Sequence, residues 1–145
     1  MNAYDDYCGL WQYSKFYSDM LETIIRLRED NESLAAITLL FNLMEQVFKS
    51  VRETDEDILI NDITWLYKNN LITKKEHEFL NDKKNGIRHL RNIMFHKDSY
   101  SYCIEINDVA YPFSDMNSWT MIFDVIFDDI LSIIFKVLNH KTMKK

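Results

Sequence analysis

The chain is poor in the residues that build turns and cross-links. Its 145 residues include only two glycines, one proline and two cysteines. Sheet-rich folds use glycine and proline heavily in turns, whereas long helices exclude them. The scarcity therefore argues against a β-sandwich or barrel and for helices. Cys8 and Cys103 are too few for a disulfide framework and are expected to be free, buried thiols in a reducing compartment. A long uncharged apolar run is also lacking. The most apolar stretch, residues 119–138, is interrupted by Asp124, Asp128, Asp129 and Lys136, while a bilayer-spanning helix needs about 20 mostly apolar residues. Residues 1–6 are polar and acidic, without the basic start of a secretion signal. The expectation is a cytoplasmic protein with no membrane association. A basic excess is missing too. The net charge of −6 argues against a protein that coats nucleic acid generally, but not against a small basic site. The length suits one domain over residues 1–145 that buries roughly 68–70% of its unfolded surface without disulfide or metal.

What is present is helical periodicity. A first helix is expected over about residues 4–28, with Leu10, Tyr17, Leu21 and Ile24 close to helical spacing. Asn31 reads as the N-cap of a second helix. There Leu34, Ile37, Phe41, Met44, Phe48 and Val51 recur in steps of three and four, the inward stripe of a bundle. A shorter helix follows at 58–67. Thr73 and Glu76 form a capping box, which starts a helix expected to run through Phe79, Leu80, Ile87, Leu90 and Met94 to about His96. The period then changes to two. Tyr100, Tyr102, Ile104 and Ile106, a turn at Asn107-Asp108, and Val109, Tyr111 and Phe113 predict a hairpin over about 100–113, with Pro112 confining its strand to an edge. The last helix is expected over about 117–138, with Trp119, Ile122, Ile126, Ile130, Ile133 and Val137 inward. Residues 140–145 are expected to fray. The predicted fold is all-α: an up-and-down bundle of four to five helices with one short β-hairpin before the last helix. Trp11, Phe41, Trp65, Trp119 and Phe123 are assigned to the core.

The chemistry concentrates at Arg88-His89-Leu90-Arg91-Asn92-Ile93-Met94-Phe95-His96. At about 100° per residue, Ile87, Leu90 and Met94 share a face that must be buried. Arg88, Asn92 and His96 form a polar stripe beside it, and Arg91 sits on the flank of Arg88. Arginine binds phosphate oxygens bidentately and stays charged at any working pH, and histidine transfers protons near neutrality. RNA carries its own nucleophile, the 2′-hydroxyl, so this pair needs no metal to cleave a phosphodiester. Between residues 83 and 97 there are five basic residues (Lys83, Lys84, Arg88, Arg91, Lys97) and no acidic one, which suits a polyanion. Arg88, Lys84, His89 and Lys97 are the candidate RNA-binding residues. Glu45, on the second helix, is a candidate to pair with Arg91 across the bundle and orient it; the alternative is an ordinary exposed helix glutamate. His77, His89, His96 and His140 follow no ligand motif, so neither metal nor cofactor is expected. Glu76-His77-Glu78 reads as an exposed first helical turn.

Residues 91–96 resemble the R-x4–6-H motif of the HEPN superfamily in its R-N-x-x-x-H form. Asn70-Leu71-Ile72-Thr73 and Ile87-Arg88-His89-Leu90 before it, the helical hairpin upstream and the long helix downstream also resemble many bacterial HEPN proteins over nearly the whole chain. The resemblance implies a bundle that dimerises with two motif copies at a shared cleft. It implies that Arg91 and His96 are catalytic and that Asn92 orients them. It further implies a ribonuclease of toxin–antitoxin, abortive-infection or other defence systems, with RNA as substrate and an antitoxin or other defence protein as partner. The chain departs from some toxin relatives, which carry a modifiable tyrosine two positions after the histidine; here that residue is Asp98. The rival expectation is a non-catalytic HEPN module that binds a partner protein or nucleotide.

Overall fold

The computed structural model describes residues 9–95 and 98–143, with the side chains of 141–143 left out. Its order is α1 (Lys15–Glu29), α2 (Ser33–Arg52), α3 (Leu59–Lys68), α4 (Lys74–Asn81), α5 (Ile87–Met94), a 3-10 turn (Ser99–Ser101), β1 (Cys103–Ile106), β2 (Val109–Pro112) and α6 (Met116–Met143). The all-α character with one hairpin before the last helix is as the sequence predicts.

The centre of the molecule is α2, packed most extensively against α6 and α1 and then against α3. Its buried stripe is Ile37, Phe41, Met44, Phe48 and Val51, joined by Ala36, Leu40, Leu43 and Val47. Leu34, expected in that stripe, is instead 37% exposed. By length and composition α2 could cross a membrane, but most of its apolar side chains are buried against the neighbouring helices. Truncating a fully buried phenylalanine such as Phe48 costs about 3–5 kcal/mol. On α6, Trp119, Ile122, Ile126, Ile130, Ile133 and Val137 are all buried, and the helix continues to Met143 where fraying was expected. Lys144 and Lys145 lie outside the described residues.

Several boundaries differ from the sequence expectation. Residues 4–8 lie outside the described part, and the expected first helix is interrupted at residues 12–14, where Ser14 caps α1 by accepting from the backbone N–H of Tyr17. Trp11, placed in the core by composition, is 57% exposed, and Lys15 lies over its ring. Asn31 does not cap α2. It adopts a left-handed φ of 62° and closes α1: its N–H donates to the Arg28 carbonyl and that of Glu32 donates to the Leu27 carbonyl, a Schellman motif in which asparagine tolerates the left-handed backbone.

The capping box forms as predicted. Thr73 Oγ1 accepts from Glu76 N at 3.1 Å and Glu76 Oε1 accepts from Thr73 N at 2.7 Å. The same Glu76 oxygen accepts from Lys136 Nζ at 2.8 Å, tying α4 to α6. Glu76 is therefore half-buried and committed, and its neighbour His77 stacks on Tyr67 with ring centroids 4.5 Å apart. The helix that begins there does not continue to residue 96. Asp82 ends it, accepting from the backbone N–H groups of Lys84 and Asn85 in an Asx turn, and Gly86 opens α5. A Cβ on Gly86 would lie 2.5 Å from Asp82 N and 2.6 Å from Asp82 O, so only glycine permits this tight passage.

In the hairpin, Ile106 pairs with Val109 and Cys103 with Pro112. Asn107 and Asp108 both have positive φ, 53° and 65°, the backbone of a type I′ turn. Ile104, Tyr111 and Phe113 face inward, and Phe113 packs on Trp119 with centroids 4.6 Å apart. Tyr100 belongs to the 3-10 turn rather than to a strand. Cys103 is free but exposed, contrary to the expected burial. Cys8 lies outside the described residues.

Candidate active site

α5 is an eight-residue helix whose buried face is Ile87, Leu90 and Ile93, while Met94 is half-buried. This rotates the inward face slightly from the sequence expectation, which used Met94 in place of Ile93, and it turns Arg91 toward α2. Arg91 Nε donates to Glu45 Oε2 at 2.8 Å. The side chains of Arg91 and Glu45 are 30% and 13% exposed, so the pair is partly shielded from water and its attraction exceeds that of a surface pair. The Arg91 guanidinium also lies 5.7 Å from the centre of the Phe95 ring, within cation–π range. One arginine is thus fixed from two sides.

Arg91 borders an open groove of about 320 Å³ between α2 and α5, lined also by Thr38, Phe41, Asn42, Glu45, Gln46, Lys49, Asp57 and Phe95. Lys49 Nζ contacts Asp57 Oδ1 at 2.5 Å. The Lys49 hydrogen bond and charge, with a further contribution from the charge of Arg91, hold the Asp57 carboxyl below its ordinary range. Two cations, Arg91 and Lys49, thus face two carboxylates, Glu45 and Asp57.

The other basic candidates among the described residues are not gathered here. Arg88 Nε donates to Asn81 Oδ1 at 2.8 Å, holding Arg88 against the end of α4. His89 is half-buried and its charge acts on Asp82, whose carboxyl is held low chiefly by the backbone N–H groups of Lys84 and Asn85. Lys84 is exposed in the α4–α5 turn. The basic stretch of 83–97 is therefore divided: Arg91 faces α2, while Lys84, Arg88 and His89 accompany the turn. Asn92 is exposed and has no side-chain hydrogen bond to a described residue. His96 and Lys97 lie outside the described residues.

Sequence reading missed Asn42, Gln46, Lys49, Asp57 and Phe95. For the first three a signal existed: with Thr38 and Glu45 they repeat at helical spacing on the polar side of α2. Nothing in the local pattern of Asp57 or Phe95 marks them, because their neighbours are set by tertiary packing.

A larger cavity of about 510 Å³ lies under the hairpin. Its walls include Glu78, Asp82, Glu105 and Asp108 around Phe79, Leu90, Ile104 and Ile126. Oriented to donate, the Asn85 amide reaches the Lys84 and Glu105 carbonyls at 3.0 Å each, joining the turn to β1. Its acidic rim is unsuited to phosphate. Among the described residues no group of three or more His, Cys, Asp or Glu side chains is arranged to hold a metal ion. No protein-family model, curated protein or solved structure matches the chain.

Proposed function

We propose that this protein is a HEPN-type endoribonuclease that cleaves RNA without a metal, acting as a toxin or anti-phage defence effector in the cytoplasm. The observation that carries this reading is the fixed Arg91: a guanidinium held by Glu45 and Phe95 at the mouth of an open groove, five residues before His96 in an R-N-x-x-x-H segment. In the proposed reaction the 2′-oxygen loses its proton and bonds to phosphorus while the P–O5′ bond breaks and the 5′-oxygen gains a proton. The products are a 2′,3′-cyclic phosphate and a 5′-hydroxyl. His96 performs one of the two proton transfers. Arg91 stabilises the charge that develops on the phosphoryl oxygens, and Glu45 keeps it oriented so that little reorganisation is needed. Asn92, exposed on the adjacent turn, positions the phosphate or His96. One Arg–His pair is sparse for both proton transfers, and a two-fold homodimer would supply a second copy across a shared cleft.

The test is cleavage of mixed cellular RNA by purified protein, with and without chelator, for native chain and His96→Ala. The expected result is chelator-resistant cleavage that His96→Ala lowers by about 10²–10⁴-fold and that a 2′-deoxy residue at the cut position blocks. Equal cleavage by both proteins would remove the enzyme reading.

One observation favours a second reading, a HEPN-like module that binds a partner protein or nucleotide without cleaving it. Glu45 and Asp57 already balance Arg91 and Lys49, so a phosphate arriving at the groove meets cations that are engaged. Binding of nucleotide or RNA by a native chain that cleaves no RNA would select it.

A further inference from the structure

We propose that the groove between α2 and α5 is a subsite for an unpaired nucleobase, stacked on Phe95 beside the phosphate held at Arg91. The inference deepens the ribonuclease reading and rests on it.

Phe95 ends α5 and is 62% exposed. A single exposed aromatic is ordinary on a protein surface. This one is different in its setting, because it forms part of the wall of a concavity otherwise lined, apart from Phe41, by polar side chains and because an arginine guanidinium lies over its ring. Aromatic rings and guanidinium planes are the surfaces on which proteins stack splayed RNA bases. The guanidinium lies over the ring 5.7 Å from its centre, and with Phe95 62% exposed the ring keeps open surface for a base. A nucleotide joins base to phosphate through one sugar, so one nucleotide can place its base on Phe95 and its phosphate at Arg91. A volume of about 320 Å³ lies at the lower end of small-ligand clefts, which run roughly 300–1,000 Å³. It suits one nucleotide rather than a duplex.

The opposite wall carries two carboxamides one helical turn apart. Gln46 Nε2 donates to Asn42 Oδ1 at 2.6 Å, which leaves the Asn42 amide donors and the Gln46 carbonyl oxygen for a base edge. A donor and an acceptor on the same wall are of the kinds that base edges can pair with. Charge points the same way. With Glu45 and Asp57 opposing Arg91 and Lys49, the groove has little net pull on a phosphate backbone, so attachment here depends on the base. Double-stranded RNA keeps its bases stacked inside and cannot use such a wall.

The experiment measures binding of short, fluorescein-labelled single-stranded RNA to the full chain carrying His96→Ala, which prevents cleavage during the titration. Phe95→Leu removes the ring and Phe95→Tyr keeps it; the position is exposed, and circular dichroism verifies the fold of each. Base–aromatic stacking contributes about 1–3 kcal/mol per base, so Phe95→Leu is expected to weaken binding by roughly 5- to 150-fold, with Phe95→Tyr close to the parent. Abasic substitution along the strand is expected to weaken binding to the parent and to have little further effect on Phe95→Leu. Equal affinity of parent and Phe95→Leu, or equal competition by duplex RNA, would overturn the subsite while leaving the ribonuclease reading intact. So would cleavage by the native chain combined with no measurable binding by the parent. Absence of both binding and cleavage would overturn the two together.

Discussion

Arg91 and Glu45, 46 positions apart in the chain, meet at 2.8 Å and key α5 to α2. Among the described residues this is the one ion pair between the motif helix and the central helix, and it sets the orientation of Arg91. Removing the carboxylate leaves a partly buried guanidinium without its partner. Glu45→Ala is expected to lower stability by about 1–2 kcal/mol, within the range for orphaning a hydrogen-bonded polar group, as read from urea unfolding. It is also expected to lower RNA cleavage, because Arg91 gains rotamers. Unchanged cleavage would show that Arg91 needs no orienting partner.

Arg91 itself distinguishes a charge from a fork. Arg91→Ala is expected to reduce cleavage by about 10²–10³-fold, the scale of losing one preorganised electrostatic donor. Arg91→Lys is expected to recover only part of that, since an ammonium cannot hold Glu45 and a phosphate in one plane. Full activity of the lysine variant would contradict the assigned role.

Gly86 is a close backbone passage beside the site. With Asp82 backbone atoms 2.5–2.6 Å from where a Cβ would stand, Gly86→Ala must displace the turn. A loss of about 1–3 kcal/mol is expected, typical of forced overpacking. An alanine variant with native stability in thermal melts would mean that the α4–α5 turn opens freely.

Asp62 gives a pH dependence of unusual sign. The residue is fully buried, with Oδ1 accepting from Arg52 Nη1 at 2.9 Å and Oδ2 without a partner among the described residues. Burial pushes its carboxyl above the ordinary value, against the opposing hydrogen bond and charge of Arg52. A raised folded-state pKa means that the native state binds the proton more tightly than the unfolded chain. The stabilisation is complete below the unfolded value of about 3.9 and is lost as pH rises through the folded value. Asp62→Asn is therefore expected to be at least as stable as the native chain at pH 7, with the difference narrowing as the pH falls. Urea midpoints across that range provide the check; a variant markedly less stable at neutral pH would show that the Arg52 pair outweighs the burial.

The capping box allows a simpler test. Thr73→Ala is expected to cost about 1 kcal/mol. Because Glu76 also holds Lys136, Glu76→Ala should cost more than Thr73→Ala and loosen α6 as well as α4. Equal effects would make the Lys136 contact incidental.

The features legible in the sequence were those whose cause is local. Thr73 and Glu76 cap across three residues, Asn107-Asp108 turns across two, and the stripes of α2 and α6 repeat within one helix. The α4–α5 break was hidden because Leu80, Ile87 and Leu90 stay close enough in phase to read as one helix across it, although Asp82 and Gly86 were the signal. Asn31 misled because the side chain that suits an N-cap also tolerates the left-handed backbone of a helix end. At the site, a pairing of Glu45 with Arg91 could be anticipated from two helix faces meeting. The separation of Arg88 from Arg91 could not, since it depends on which neighbouring helix each guanidinium reaches. Phe95 and Asp57 acquire neighbours only through packing.

The shortness of α5 governs how the molecule opens. Eight residues between a glycine passage and Phe95 are well under the roughly 12–15 at which an isolated helix is even marginal in water. Its order is borrowed from Ile87, Leu90 and Ile93 in the core and from Glu45 at the rim. Amide protons of α5 should consequently exchange with solvent through local openings that leave α2 and α6 intact, ahead of the global transition. Whatever settles in the groove and grips Arg91 would slow that exchange.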